Sequence, residues 1–270
     1  MRDLSIVIVN LNTLLLLRNC LSSIFDTSQD SHAPEVIVVD NGSSDGSGDM
    51  VKREFPSVLL AENTTNVGFS KATNQGIRAS TGRLILLLNS DTVLEKQTLS
   101  SLMEFMRGHN DAGVCGACLM RPDGSVQPFL FGSDPTLSYL MHRGLKRLFL
   151  GRALHDWDTK DVMEVDWVSG ACLMARREVL FSAGLLDENI FMYFEDTDLC
   201  LRVRRSGWKI YFNPAATVIH IGGQSLSKDR ERRRAYFESL LYFYEKHYGP
   251  VARLALKLLL FPYRLYLGVL

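Results

Sequence analysis

Three polar clusters in this 270-residue chain each close an apolar run: Asn10-Leu11-Asn12, Asp40-Asn41-Gly42-Ser43-Ser44-Asp45 and Asn89-Ser90-Asp91-Thr92. Glu195-Asp196 and His220 lie far downstream. Carboxylates can hold a hard divalent cation against a departing diphosphate, and a positioned carboxylate can take the proton of an attacking hydroxyl. A neutral imidazole can complete a cation's shell, so function through His220 should weaken on acidification. Taken singly, each cluster has a simpler account. Asn, Asp, Gly and Ser favour turns, and acids opening a helix near Thr197 complement its dipole. Asp198 can do the same, or pair with Arg202 four residues on. Three such ends on one rim look like a site.

The elements that would carry these residues are legible in the first half. Runs rich in Val, Ile and Leu at 5–9, 35–40, 58–62 and 83–89 read as buried parallel strands. Helix-like stretches at 14–25, 49–54 and 71–79 separate them, the last with a stop signal at Gly82. This alternation predicts an α/β doubly wound sheet, whose ligands sit at the carboxyl ends of the strands. From about residue 110 shorter segments with Pro, Gly and aromatics predict a subdomain packed against the first half. The expected organisation is a binding half at 1–110, a second half of the same domain at 111–226, and a helical tail at 227–270. Lys228–Arg234, a mixed-charge run, reads as the solvated start of a helix.

Composition narrows the classes. A 46% hydrophobic content supports one large core. Thirty basic and thirty acidic residues cancel, leaving no global field to recruit nucleic acid. The five cysteines are odd in number, and Ile6–Val9 is too short and too soon followed by Asn10 and Asn12 for a signal-peptide core. A reducing, cytoplasmic compartment is the expectation. Cys115-x-x-Cys118 lacks a second pair or neighbouring histidines and reads as a strand of small residues rather than a zinc site. Asn10-Leu11-Asn12-Thr13 stands where a dinucleotide-binding protein needs G-x-G-x-x-G. No Walker lysine motif appears, and neither does the glycine-rich, Arg/Lys-bearing phosphate loop of a nucleotidyltransferase.

Seven stretches in order then resemble one family: SIVIVNLN (5–12), VIVVDNGSSDGS (36–47), NVGFSKATNQGI (66–77), LLLNSDT (86–92), VDWVSGACLMARREV (165–179), FMYFEDTDLCLRVRRSGW (191–208) and HIGGQS (220–225). The sequence is similar to the family-2 glycosyltransferases of the GT-A fold, in particular their bacterial rhamnosyltransferase-like branch. The resemblance implies a GT-A-type, mostly parallel sheet with an acceptor-side subdomain and C-terminal helices. It implies inverting transfer from a nucleoside-diphosphate sugar (dTDP- or UDP-linked) to a hydroxyl of a glycan or lipid-linked acceptor.

Carried over by position, Asp40 matches the aspartate that contacts the nucleoside, and the backbone after Val9 lines the same pocket. Asn10, Asn12, Asn41, Gly68, Lys71, Asn74, Asn89 and Ser90 complete the expected donor contacts. Asn89-Ser90-Asp91 matches the D-x-D-type motif, with Asp91 expected on Mg²⁺ or Mn²⁺. Asn89 departs from a true D-x-D and leaves one fewer anion near the metal. His220 matches the histidine that completes the metal shell. Asp196 of the Glu195-Asp196 pair is the expected general base, with Glu195 as the fallback. Asp166, Trp167 and Gly170 are the expected sugar or acceptor platform, although Trp167 suits a buried core equally. Arg202, Arg204 and Arg205 could meet phosphate, but exposed helix charges are the default.

After Gly249-Pro250 the tail holds Arg253, Lys257 and Arg264 and no acid. On a helix these cations share one face, which suits an interfacial helix on anionic lipid at the inner face of the cell membrane. Lys257 and Pro262 argue against a spanning helix. The alternative is docking on the protein's own core or on a second copy in a homodimer. At the level of function the alternative is a non-catalytic nucleotide-sugar-binding or membrane-assembly module.

Overall fold

A computed structural model describes residues 2–27, 33–150, 154–222 and 229–266. Residues 223–225 of the HIGGQS stretch, Lys228 and the last four residues of the tail lie outside the described residues. The first half follows the apolar pattern closely: β1 (Leu4–Asn10), α1 (Leu14–Thr27), β2 (Glu35–Asp40), α2 (Ser47–Glu54), β3 (Leu59–Glu62), α3 (Phe69–Ala79) and β4 (Leu84–Asn89). These strands pair in parallel in the order β3-β2-β1-β4. Ile6, Ile8, Ile37, Val38, Val39, Ile85 and Leu86 are fully buried at their centre. Helix α3 lies so close to β1 that a Cβ on Gly76 would come within 2.3 Å of Val7 Cγ1. Only glycine fits that contact.

The second half continues the same sheet: β5 (Thr92–Leu94), α4 (Thr98–Gly108), β6 (Ala112–Met120), β7 (Phe131–Gly132), α5 (Leu137–Leu150), β8 (Met163–Glu164), β9 (Trp167–Val168), β10 (Cys172–Arg176), α6 (Arg177–Ser182), α7 (Glu195–Arg205), β11 (Lys209–His220) and α8 (Asp229–Tyr266). The 9-stranded sheet runs β3-β2-β1-β4-β10-β6-β11-β5, with β8 on β11, and β7 pairs β9 in a small separate sheet. The short segments expected after residue 110 are therefore joined by long strands: β6 has 9 residues and β11 has 12. Strand β10 runs against both β4 and β6. That reversal brings its amino-terminal end beside the carboxyl end of β4, where Asn89 N–H donates to Ala171 O at 3.0 Å.

Cys115 and Cys118 lie within β6 as buried thiols, and burial pushes both up from the usual range. Helix α8 breaks at Gly249 (φ 86°, ψ 172°), which separates arms 229–248 and 250–266. The proximal arm packs Leu240, Leu241, Phe243 and Tyr244 into a second apolar cluster with Leu201 and Leu256.

Candidate active site

The carboxyl ends of β2, β1 and β4 lie side by side, with Asn10 opposite Asp40 and Val9 opposite both Val39 and Asn89. Asn10 Nδ2 donates to Asp40 Oδ1 at 2.8 Å and to Ser43 Oγ at 3.0 Å. The Ser43 N–H donates to Asp40 Oδ2 at 3.1 Å. Asn10 Oδ1 accepts from Thr13 Oγ1, which meets Ser90 Oγ at 2.9 Å. One polar chain thus runs from the end of β2 to the turn after β4. Asn10 is fully buried, so its side chain orients Asp40 instead of reaching a ligand. Asn12 sits exposed on the rim at φ 52°, its Oδ1 accepting the Ser44 N–H at 2.8 Å.

Two other expected donor contacts are committed to the frame. Asn41 Oδ1 accepts from Asn63 and from the Val67 N–H, and its Nδ2 donates to Asn66 and Gly68 O. It thereby ties the 63–68 loop to the strand end. Asn74 is a correction. It is 1% exposed, and its amide donates to Leu186 O and Glu188 while accepting the Leu186 N–H. Nothing of it is left for a nucleotide. Gly68, at φ 92°, passes within 3.0 Å of the Phe191 ring as a Cβ would be placed, and Lys71 is exposed on the first turn of α3.

Asp91 lies in the turn between β4 and β5. Strand β5 pairs antiparallel with β11, which sets Thr92 opposite His220. Asp91 Oδ1 stands 3.3 Å from His220 Nε2, and Asp91 Oδ2 accepts the Gly222 N–H at 3.0 Å. His220 Nδ1 meets Gln127 Oε1 at 2.9 Å. Gln127 Oε1 accepts from Nδ1, so Nε2 is the ring nitrogen that faces the Asp91 carboxylate. When that nitrogen carries its lone pair, it and the carboxylate would share a cation placed between them. Asn89 Nδ2 lies 3.5 Å from the same Nε2. No group of three or more His, Cys, Asp or Glu side chains suited to a metal occurs among the described residues. The donor set fits a Mg²⁺ or Mn²⁺ ion that takes its remaining ligands from water and phosphate, not a closed protein cage. Gln127 was not signalled by any motif in the sequence; it reaches the site only because the chain returns after β6.

Glu195 and Asp196 open α7, two residues earlier than expected. The preceding Tyr193 and Phe194 both take φ 65°. Left-handed backbone in two bulky residues stores about 1–2 kcal/mol each, a pattern that clusters at functional sites. Asp196 Oδ2 accepts the Gly170 N–H at 3.0 Å, and its Oδ1 accepts the Thr197 N–H at 2.7 Å. Gly170 adjoins Ala171, whose carbonyl accepts from Asn89. One hydrogen bond on either side of this dipeptide therefore joins the acid pair to the Asn89–Asp91 turn.

Burial, and then the neighbouring Asp196, push Glu195 up to about 8, while burial raises Asp196 against the donors from Gly170 and Thr197. Glu195 Oε2 has no hydrogen-bond partner. The folded state thus favours the neutral Glu195. Its contribution to stability is complete below the ordinary value of 4.5 and is lost as pH rises toward about 8. Glu195→Gln should therefore raise the melting temperature increasingly across that window. At about 1.4 kcal/mol per unit, the gap at the alkaline end is on the order of a few kcal/mol. Thermal melts along a pH series check this, and parallel curves for parent and variant would contradict it.

Behind the pair, Asp198 is sealed from solvent and meets Arg202 at 2.7 Å, Lys246 at 2.6 Å and His247 at 2.7 Å. Burial alone would raise Asp198, but His247, Arg202 and Lys246 outweigh it and hold the carboxyl low. The pairing with Arg202 is present, and α8 supplies the Lys246 ammonium and the His247 imidazole, which fix α7. The residues of the expected platform have partners of their own. Asp166 is engaged by Arg204 at 3.3 Å and by the Asp134 N–H at 2.9 Å. Trp167 lays its ring over Gly132 and donates Nε1–H to Ser133 O at 3.0 Å. It is half-buried against the core. Arg202 and Arg204 are likewise part-buried in ion pairs, not displayed on the surface.

The family pattern described as Glycosyl transferase family 2 matches residues 5–167. An N-acetylglucosaminyl-diphospho-decaprenol L-rhamnosyltransferase of Mycobacterium tuberculosis is 28% identical over 236 residues, which covers 79% of this chain and 76% of that protein. The rhamnosyltransferase WbbL of Escherichia coli is 29% identical over 142 residues, half of this chain and 51% of its own length. Among solved structures, the mannosyltransferase PcManGT from Pyrobaculum calidifontis superposes with a TM-score of 0.66 at 18% identity, over 93% of this chain and 65% of that one. TarS 1-349 of S. aureus gives 0.62 at 16% identity, over 89% and 64%. These two share the fold with little sequence in common. By pattern, relatives and fold together, the chain belongs to glycosyl transferase family 2, in its rhamnosyltransferase-like branch, and has the GT-A fold.

Proposed function

We propose that the chain is an inverting, metal-dependent transferase that moves a sugar from a nucleoside diphosphate to a hydroxyl of a glycan or lipid-linked acceptor in cell-surface polysaccharide synthesis. Rhamnose carried on dTDP is the favoured donor, since one relative is the dTDP-rhamnosyl transferase RfbF of Shigella flexneri; a UDP-sugar is the competing choice. The observation that carries the reading is the single rim on which Asp91 and His220, 3.3 Å apart, stand one dipeptide away from Asp196.

Asp40, held by Asn10 and Ser43 at the end of β2, would meet the nucleoside. Asp91 and His220 would hold the cation, and PcManGT was solved with GDP-Man and Mn²⁺. Bound there, the metal would supply positive charge to the departing diphosphate. Asp196 takes the acceptor proton as the hydroxyl attacks the anomeric carbon from the opposite side, in one in-line displacement. Gly170, lacking a side chain, leaves the approach over Asp196 open. No enzyme nucleophile is needed.

Incubating the protein with Mg²⁺ or Mn²⁺ and a panel of nucleotide sugars, and following nucleotide release, tests this. Turnover confined to one or two donors is expected. Tight binding of a donor with no turnover on any acceptor would favour the non-catalytic module.

Among the described residues no helix is long and apolar enough to cross a membrane. We propose peripheral docking of the 250–266 arm at the inner face of the cell membrane, where a lipid-linked acceptor would be presented.

A further inference from the structure

Helix α5 and the distal arm of α8 are far apart in the chain but share one root. Leu137 and Leu140 of α5 pack with Leu256 and Leu260 of α8 around Leu240 and Tyr244. Tyr244 Oη also donates to the carbonyl of Pro135, just before α5. Beyond this shared root both helices turn apolar side chains outward. On α5, Met141, Leu145 and Phe149 follow one another at a spacing of four and are 52%, 52% and 75% exposed. On the distal arm, Val251, Leu254, Leu258 and Phe261 form a stripe and are 80%, 57%, 67% and 52% exposed. That stripe lies on the side of the helix away from the inward-facing Leu256 and Leu260. A helix that is apolar on its inner side and again on its outer side is not finished by its own fold.

The charge says what finishes it. The chain is neutral overall, yet residues 137–154 hold Arg143, Lys146, Arg147 and Arg152 and no acid. Residues 246–270 hold Lys246, Arg253, Lys257 and Arg264, again with no acid. Arg253 reaches back to Glu245 at 3.3 Å, the nearest acid before that stretch. On the distal arm Arg253, Lys257 and Arg264 lie beside the exposed stripe, and on α5 Lys146 does, the arrangement that an anionic headgroup layer over an acyl core accepts. A second copy of the chain would bring the same unbalanced positive charge to the contact.

We propose that α5 is a second membrane-contacting element, so that the chain docks on anionic lipid through α5 and the distal arm of α8 together. This rests on the proposed docking of the distal arm and adds to it the acceptor side of the site. Helix α5 leaves the small β7–β9 sheet, and β9 leads within two residues to Gly170, the residue on Asp196. Lipid held at α5 would present a hydroxyl near the membrane plane at the end of the cleft where the base stands.

Flotation of the full chain with vesicles of phosphatidylcholine, alone or mixed equally with phosphatidylglycerol, tests the proposal. The parent should bind the mixed vesicles only, and less so in raised salt. Leu145→Glu with Phe149→Glu should weaken binding at least tenfold, as should Leu254→Glu with Leu258→Glu, because each inserts charge into the apolar layer. Circular dichroism and retained nucleotide binding show that the variants are folded. If only the α8 variant loses vesicles, the α5 proposal is overturned while docking by the distal arm stands. If neither variant shifts, both fail. Parent dimers that the α5 substitutions convert to monomers, with no vesicle binding, would assign the face to a second copy and overturn the proposal.

Discussion

Asp196→Asn should lower the rate of sugar transfer by about 10²–10⁴-fold while leaving nucleotide affinity within a few-fold of the parent. The amide keeps an oxygen for only one of the two N–H donors that the carboxylate now accepts, Gly170 at 3.0 Å and Thr197 at 2.7 Å, so a thermal melt beside the nucleotide affinity checks that the frame survives while the proton acceptor is lost. The pH profile sharpens the test. Transfer needs the ionised carboxylate, and burial raises Asp196 above the ordinary range. The parent's rate should therefore climb with pH along a limb displaced upward from that of a free carboxylate. That limb should vanish in the variant. Burial, and then the neighbouring Asp196, push Glu195 up to about 8, which favours its neutral form beside Asp196. Unchanged transfer by the variant would remove Asp196 from the chemistry and bring Glu195 forward.

Asp91→Asn should abolish most of the tightening that Mn²⁺ or Mg²⁺ gives to nucleoside-diphosphate binding, at least tenfold, with transfer falling further. Adding a chelator should hurt the parent strongly and the variant little. The sign follows from the geometry: of the two side chains that stand 3.3 Å apart, only Asp91 brings full negative charge. Gln127→Leu, which releases Nδ1 of His220, should also weaken metal affinity, by about 10–100-fold. Titration calorimetry with and without metal reads both effects. Equal metal dependence in the parent and in Asp91→Asn would place the cation elsewhere.

Much of this site could be read from the chain because strand ends are local events. Runs such as Val36–Val39 and Ile85–Leu88 are buried on both faces, so their apolar composition alone marks where they stop and where Asp40 and Asn89–Asp91 must emerge. Other features depend on long-range pairing that no local pattern encodes. Gln127 meets His220 across 93 residues, and Asp198 meets His247 across 49. Asp166 and Trp167 look like a platform in sequence, but Arg204 and the carbonyl of Ser133 engage them first. Asn74 sits in a matching motif, yet its amide fits the backbone of Leu186 112 residues away. The early start of α7 was hidden for a different reason. Tyr193 and Phe194 adopt a backbone that aromatic residues rarely take, so propensity points away from a helix opening there.

The reversed strand β10 has a mechanical consequence. Because it is zipped to β4 on one side and β6 on the other, the Gly170–Ala171 dipeptide just ahead of it is pinned beside Asn89. Asp196, which accepts the Gly170 N–H from α7, is thereby tethered to the sheet and not to a mobile lobe. If it is the base that we propose, gating of substrate entry falls to the surrounding loops.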